Sequence, residues 1–375
     1  MPQPSSTAFF DHFGHLDDPR RDGGHKLFPL DEILFLSFCA VLCGADGFQA
    51  IEHFGRAKIN YLRRFAPFKR GIPSHDTIGR VFELLDPEAF EDCFLEWVQS
   101  VVQLNPGEVV PIDGKALRRS HDHYSNKAAL HLVSAFASEN GLVLAQVKVD
   151  DKSNEITAIP KLLEKLALTG CIITIDAMGC QRKIAAAIIE KEADYVFSLK
   201  GNQGGLHEEV IDFFSRPSRY EKVAITQAET LEKDHGRIEH RVCSVASFEE
   251  ADLFEIADWV GLKTIIKMER HRLIGQKQES ETSYYISSLS AEAEKHLEVI
   301  RKHWQIENRL HWVLDVAYDE DGSRIRKGHS SQNMAIVRRI TLNALRDAPG
   351  KVGVATKRLK AGWDEVYLDK IVQNI

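Results

Sequence analysis

Three acidic residues, Asp113, Asp176 and Glu307, are of the type that divalent-metal chemistry requires. Asp113 follows an apolar run in VVPIDGK, and Asp176 ends the apolar run of IITIDAMG. Glu307 lies within HWQIENRLHWVLDVAYDED, a stretch with helical spacing. Carboxylate oxygens bind hard cations such as Mg²⁺ or Mn²⁺, and two such ions about 4 Å apart can activate an attacking oxygen and stabilise a leaving one. The three acids therefore predict phosphodiester chemistry.

Glu307 occupies an unusual position in its helical pattern. At about 100° per residue, it falls beside the apolar positions Ile300 and Leu314. An unpaired carboxylate that faces a core costs several kcal/mol, so we expect a cation, a hydrogen-bond donor or a proton beside it. The other acids of the segment, Asp315 and residues 319–321, are interpreted as ordinary surface acids.

Each strand-end acid also has a simpler explanation. Asp176 can cap the helix entered at Gln181, and Asp113 can serve a turn with Gly114. For each acid alone both explanations remain open, whereas their joint placement with a core-facing Glu favours a metal site. Glu155, in KSNEI, is interpreted as a helix-entry acid rather than as a further acid of the site.

Helices are predicted throughout residues 1–107, which we interpret as a DNA-binding region. The segment RAKINYLRRFAPFKR holds six basic residues, Arg63 and Arg64 among them, and no acid. In IPSHDTIGRVF, Ser74 can cap a helix whose Arg80 points outward. Such a helix can read DNA, but an ordinary bundle helix is the preferred interpretation.

The elements that must position the acids follow residue 107. Residues 108–205 contain three strand-like runs and then alternate helix, strand, helix and strand. This order predicts an α/β fold with a ribonuclease-H-like mixed sheet, in which the first and fourth strands are parallel neighbours and bring Asp113 and Asp176 together. Residues 206–290 predict a β-rich insertion, 291–346 the second part of the core with the Glu307 helix, and 347–375 a basic C-terminal tail.

The composition is that of an ordinary globular protein. The net charge of -7 argues against a uniformly basic surface, so nucleic-acid binding must come from local patches. Six scattered cysteines without a Cys-x-x-Cys pair indicate reduced thiols. The apolar run from Ile33 to Cys43 is too short to span a bilayer. We therefore expect no membrane contact and a cytoplasmic, nucleoid-associated protein.

Several longer motifs carry a resemblance to a known family. The segments PIDGKALRRS, KSNEI, ITIDAMGCQ, LKGNQ, HGRIEHR and HWQIENRLHWVLDVAYDED resemble the H-repeat-associated transposases of bacterial insertion sequences, a branch of the DDE transposases. The resemblance implies that Asp113, Asp176 and Glu307 bind Mg²⁺ or Mn²⁺. It further implies cleavage of element ends and strand transfer into target DNA.

The wider superfamily has a Tyr, an Arg and a Lys around this Glu. Ile300, His303 and Leu314 stand at those positions here, so the DNA contacts of the pattern do not carry over.

The predicted partner is double-stranded DNA, both the terminal inverted repeats of an element and its target, bound by a homodimer. In HGRIEHR, strand alternation places His235, Arg237, Glu239 and Arg241 on one face, which serves either phosphate or a surface ion-pair ladder. Basic or polar residues near the predicted site are the other expected contacts: Lys115, Arg118, Arg119, Lys200, Asn202 and Gln203. The first three can equally form a solvated basic turn. A metal-dependent nuclease of the same fold and a catalytically retired DNA-binding remnant are the alternative functions.

Overall fold

The computed structural model describes residues 7–21, 26–121, 128–150, 153–220, 222–234, 236–248 and 259–375. His235 therefore lies outside the described residues.

The chain begins with a bundle of helices, as its sequence predicts. Ser74 caps one of them by accepting a hydrogen bond from the Thr77 amide at 3.3 Å, and Asp86 caps another from the Glu88 amide at 3.0 Å. Arg80 is exposed, whereas Ile78 is fully buried. The helices are α1 (Phe9–Phe13), α2 (Leu30–Leu42), α3 (Phe48–Leu62), α4 (His75–Leu84) and α5 (Pro87–Val101).

The next part is a ribonuclease-H-like sheet with the predicted topology. Strands β1 to β3 form an antiparallel meander, and β4 and β5 run parallel to β1, in the order β3-β2-β1-β4-β5. The elements are β1 (Val109–Ala116), β2 (His131–Ala137), β3 (Leu142–Lys148), α6 (Glu155–Lys165), β4 (Ile172–Ile175), α7 (Arg182–Glu190) and β5 (Asp194–Leu199). Buried β-branched residues dominate β1 and β4, as expected of central parallel strands.

The region predicted as an insertion extends the same sheet. After α8 (Gly204–Ser215) come β6 (Ile225–Asp234), β7 (Arg237–Ser247), β8 (Thr264–Ile274) and β9 (Lys277–Ser287). Because β9 pairs antiparallel with β5, the sheet has nine strands. The sequence predicts only β7, β8 and β9. Strand β6 was missed because this edge strand is largely exposed and carries few of the apolar residues that mark a strand.

The chain then returns to helices that cover the sheet and join it to the N-terminal bundle. They are α9 (Ala293–His303), a π-helical turn (Ile306–His311), α10 (Trp312–Tyr318) and α11 (Ser330–Asp347). Helix α11 is buried over nearly its whole length and contacts α2, α4, α5 and β3.

The basic C-terminal tail is folded, as α12 (Val354–Trp363) and α13 (Glu365–Val372). Lys357 is buried and donates to the carbonyls of Leu345, at 2.8 Å, and Ala348, at 2.6 Å, at the end of α11. Arg358 is buried and donates to the Val41 carbonyl near the end of α2. Both cations satisfy helix C-termini, so half of the KRLK run is structural rather than a surface patch.

All six cysteines are free and five are buried. Burial raises the pKa of Cys180 to about 12, which keeps its thiol protonated. Among the helices of the described ranges, none is both long and apolar enough to cross a bilayer.

Candidate active site

Asp113 and Asp176 come together through the pairing of β1 with β4. Ile112 lies opposite Ile175 in this parallel pair, so the acids occupy the next position on adjacent strands. Neighbouring strands are about 4.8 Å apart. The two carboxylates consequently line one cleft of about 360 Å³ at the carboxyl end of β4, together with Glu307 and Lys200.

Asp113 lies in a strained electrostatic environment. Its pKa is raised to about 6, chiefly by burial and to a smaller extent by the neighbouring acids Glu155 and Asp176, while His311 and the Gly114 amide act to lower it. Its side chain is 26% exposed, so the carboxylate remains open to the cleft. A cation beside it would relieve this repulsion.

Asp176 serves its own loop as well as the cleft. Its Oδ1 accepts the amides of Met178 at 3.0 Å and Gly179 at 3.3 Å. Asp176 therefore caps the turn after β4 and does not cap the helix entered at Gln181. The loop is further held by Asn202, which donates to the Ala177 carbonyl, and by Gln203, which donates to the Cys180 carbonyl.

Glu307 lies in the π-helical turn, and this corrects its predicted orientation. The Trp312 amide donates to the Glu307 carbonyl, five residues back, so each turn contains more residues than an α-helix. The assumed 100° per residue fails here, and the Glu307 side chain is 57% exposed rather than facing the core. Its hydrogen bond with His311, 3.2 Å long, lowers its pKa.

His311 is a site residue that the sequence interpretation missed. Oxygen and nitrogen atoms of Asp113, Glu307 and His311 all lie within 4.8 Å of one another, the only such group of potential metal ligands found in the described ranges. The spacing of four residues between Glu307 and His311 was the available signal, because residues four apart lie on one helical face. Asp176 lines the same cleft but is outside this closest group.

Glu155 is both the first residue of α6 and a neighbour of the site. Its Oε1 lies 2.9 Å from Nε2 of His131. A Cβ at position 114 would overlap the Glu155 carboxylate, so Gly114 allows this pair to pack against β1. The carboxylates of Asp176, Glu155 and Glu307 thus lie around Asp113, with the imidazoles of His131 and His311 beside them and Lys200 lining the same cleft.

Lys115 has a different role from the predicted phosphate contact. Its side chain is 9% exposed, its ammonium pairs with Asp315, and it donates to the His311 carbonyl at 3.3 Å. Glu320 lies 3.7 Å away and is fully buried, where Arg339 pairs with it at 2.8 Å. The interpretation of these two acids as ordinary surface residues was therefore wrong.

Several predicted DNA contacts are exposed. Arg118 is 84% exposed and lies 3.2 Å from Asp321, and Arg119, Lys200 and Arg63 are also exposed. Arg64 pairs with Asp369 on α13 at 2.6 Å and stacks on Tyr61 and Phe65, so its charge is partly satisfied within the protein.

The basic face of β7 forms an ion-pair ladder. Glu239 is 3% exposed and lies within 3.4 Å of four arginines: Arg237, Arg241, Arg270 and Arg272. Of the two interpretations left open for HGRIEHR, the ladder is the one that the contacts display.

The superfamily positions beside Glu307 belong to the protein interior. Ile300 and Leu314 are buried. His303 Nδ1 lies 3.0 Å from the Thr174 hydroxyl, and burial lowers the pKa of His303 to about 4. Ile300 and His303 also line the cleft that contains Glu307.

Comparisons with known proteins agree with this architecture. The family model described as "Transposase DDE domain" matches residues 105–344, and the one described as "DDE_Tnp_1-associated" matches residues 10–98. "Putative transposase YncI" of Escherichia coli O157:H7 is 42% identical over 98% of this chain and 95% of its own length. "H repeat-associated putative transposase YhhI" of Escherichia coli K12 is 40% identical over 93% of this chain and 92% of its own length.

One further relative and one solved structure are also similar to this chain. "Inactive transposase YbfQ" of Escherichia coli K12 is 48% identical over 57 residues, which are 15% of this chain and 64% of that protein. A piggyBac transposase synaptic complex with hairpin DNA, solved by cryo-electron microscopy, aligns with a TM-score of 0.44 and 12% identity over 94% of this chain and 74% of that chain.

Proposed function

Because this chain belongs to the family of transposases with a DDE domain, we propose that it cleaves DNA at the ends of a mobile element and joins them to target DNA. Asp113, Asp176 and Glu307 are the proposed catalytic acids, with Mg²⁺ or Mn²⁺ as cofactor. The observation that carries the proposal is the meeting of these acids in one cleft, with more carboxylates than cations around them.

The donor set fits such an ion. Carboxylate oxygens from β1, from the loop after β4 and from a π-helical turn suit a hard divalent cation, and Glu155 and Asp176 add to the effect of burial in raising the pKa of Asp113. Bound divalent ions would activate the attacking oxygen and stabilise the leaving oxygen. The protein's own part is to fix Asp113 on a central strand and to hold the Asp176 loop through Asn202 and Gln203.

The proposed reaction has two balanced steps. Water attacks the phosphorus at an element end, the bond to the 3′ oxygen breaks, and a free 3′ hydroxyl results. That hydroxyl then attacks a phosphodiester of target DNA and displaces another 3′ oxygen, so one ester replaces another and no nucleotide cofactor is consumed.

The proposed DNA contacts follow from exposure and charge. Arg118, Arg119, Lys200 and Arg63 keep this role, because exposed cations attract phosphates without reading sequence. A groove of about 1330 Å³, which Arg80 on α4 and Arg324 line, is a second place for duplex DNA. Two element ends require two sites, so the proposed assembly on DNA is a homodimer.

The test is an assay on supercoiled DNA that carries the element's flanking ends, with Mg²⁺ or Mn²⁺. We expect wild-type protein to give nicked and joined products, and Asp176→Asn to give neither. Asp86→Asn is the matched control, because Asn at this exposed helix cap also accepts the amide hydrogen bond. Nicking without joining would assign a nuclease, and binding of the ends without either product would assign a retired DNA-binding protein.

A further inference from the structure

The His311 imidazole directly contacts two of the candidate acids. Its Nδ1 lies 3.2 Å from Oε2 of Glu307 and 3.5 Å from Oδ2 of Asp113. The side chain is only 4% exposed, and the other ring nitrogen, Nε2, is buried and has no hydrogen-bond partner among the described residues. The protein therefore buries an imidazole beside two carboxylates while leaving its far side unsatisfied, which costs free energy.

The distances are those of ligands that share one ion. Donor atoms at about 2.1 Å from an octahedral cation lie roughly 3 Å from each other when they occupy adjacent positions. The Nδ1 separations from Glu307 and Asp113 are close to this value. The donor atoms of all three residues lie within 4.8 Å of one another.

Two features of the chain hold the imidazole there. The π-helical turn sets Glu307 and His311 side by side, and such turns recur at functional sites. Lys115, on β1, donates to the His311 carbonyl and so ties the turn to the strand that carries Asp113. Lys115 is thus a positioning residue for the cluster.

We propose that His311 is a metal ligand, binding the cation through Nδ1 next to Asp113 and Glu307. The proposal rests on the proposed function, since it concerns the same cation. It adds a nitrogen donor to an oxygen site, and Mn²⁺ is the probe ion because its magnetic resonance signal reports a directly bound nitrogen.

The experiment uses the full chain and Mn²⁺ alone, without DNA. Pulsed electron paramagnetic resonance detects modulation of the Mn²⁺ signal by a directly bound nitrogen. We expect ¹⁴N modulation in wild-type protein, its replacement by the ¹⁵N pattern when only histidine is ¹⁵N-labelled, and its loss in His311→Gln. The dissociation constant for Mn²⁺ should rise tenfold or more in that variant.

His303→Gln is the matched control, because His303 lines the same cleft but lies outside the closest group of donors. Its nitrogen modulation should equal that of wild type. Loss in His303→Gln with retention in His311→Gln would overturn the proposal.

The Mn²⁺ experiment distinguishes a failure of the His311 proposal from a failure of the proposed metal site. Mn²⁺ that binds without nitrogen modulation overturns the His311 proposal and leaves the carboxylate site intact. Absence of Mn²⁺ binding to the wild-type protein contradicts the metal site of the proposed function itself. If His311→Gln does not fold, labelled wild-type spectra without histidine nitrogen still overturn the proposal, and where they show that nitrogen, His311→Asn replaces His311→Gln to identify the residue.

Discussion

Two acidic centres lie at opposite ends of α10, and they differ in charge balance. After the helix, Glu320 is 1% exposed and has Arg339 at 2.8 Å, Lys115 at 3.7 Å and Arg338 at 3.9 Å. Burial alone would raise the pKa of Glu320, but these cations outweigh it and the pKa is lowered. Before the helix, in the cluster of Glu307, His311 and Asp113, His311 lowers the pKa of Glu307, whereas burial, with a smaller contribution from neighbouring acids, raises the pKa of Asp113.

The difference distinguishes a structural centre, around Glu320, from the proposed functional centre, around Asp113. A buried carboxylate with several cations is already neutralised, and its removal would leave those cations buried without a charge partner. A partly open carboxylate among other carboxylates is neutralised only when a ligand arrives. Charge deficit, rather than acidity, therefore marks the place where a cation is expected.

The largest expected effect is on stability, at the structural centre. Glu320→Gln leaves Arg338 and Arg339 buried without their charge partner, so the free energy of unfolding should fall by about 3–5 kcal/mol. Chemical denaturation measures it. Glu307→Gln, on the same segment but 57% exposed, should change the free energy by less than about 1 kcal/mol. Equal losses of unfolding free energy in the two variants would contradict the distinction between the two centres.

The second prediction concerns pH and the functional centre without metal. The folded-state pKa of Asp113 is raised from 3.8 to about 6, so the folded protein binds more protons than the unfolded chain between these values. Stability should therefore fall as pH rises from about 4 to above 6, by up to about 3 kcal/mol, and Asp113→Asn should remove this part of the decline. Denaturation at several pH values, with Asp86→Asn as control, provides the measurement. An unchanged pH profile in Asp113→Asn would show that the carboxylate is not electrostatically strained.

The third prediction extends the comparison to basic residues. Lys357→Met removes two hydrogen bonds from an ammonium to carbonyls at the end of α11, so the free energy of unfolding should fall by about 1–3 kcal/mol. The salt dependence of DNA binding should be unchanged, because Lys357 is buried. If DNA binding by a folded Lys357→Met variant depended less on salt, the KRLK run would have to contact DNA.

The smallest effect is expected at an exposed cation. Lys200→Ala should weaken DNA binding a few-fold and reduce the slope of log affinity against log salt by about 1, with stability unchanged. Fluorescence anisotropy at several salt concentrations measures the slope. An unaltered slope would exclude Lys200 from the phosphate contacts.

The strand acids were predictable from sequence because local patterns determine their placement. Apolar runs and alternation of helix with strand give parallel neighbours, and this puts Asp113 beside Asp176. The orientation of Glu307 was not predictable in this way, since a π-helical turn breaks the α-helical period on which the angle depends.

The remaining differences between the sequence predictions and the structure arise from interaction partners that are distant in the sequence. Glu320 pairs with arginines on α11, and Lys115 pairs with a residue 200 positions away. Nothing in the local composition around either residue distinguishes a buried ion pair from a solvated charge. The same holds for Lys357 and Arg358, whose acceptors are the carbonyls at the ends of other helices.

The central claim is that the charge deficit around Asp113 is filled by a divalent cation. Thermal unfolding with and without Mn²⁺ at neutral pH tests it most directly, in wild-type protein and in Asp113→Asn. Since a ligand that binds only the folded state raises the melting temperature, Mn²⁺ should raise it in wild type and have little effect in Asp113→Asn. An equal rise in both proteins, or none in wild type, would contradict the account.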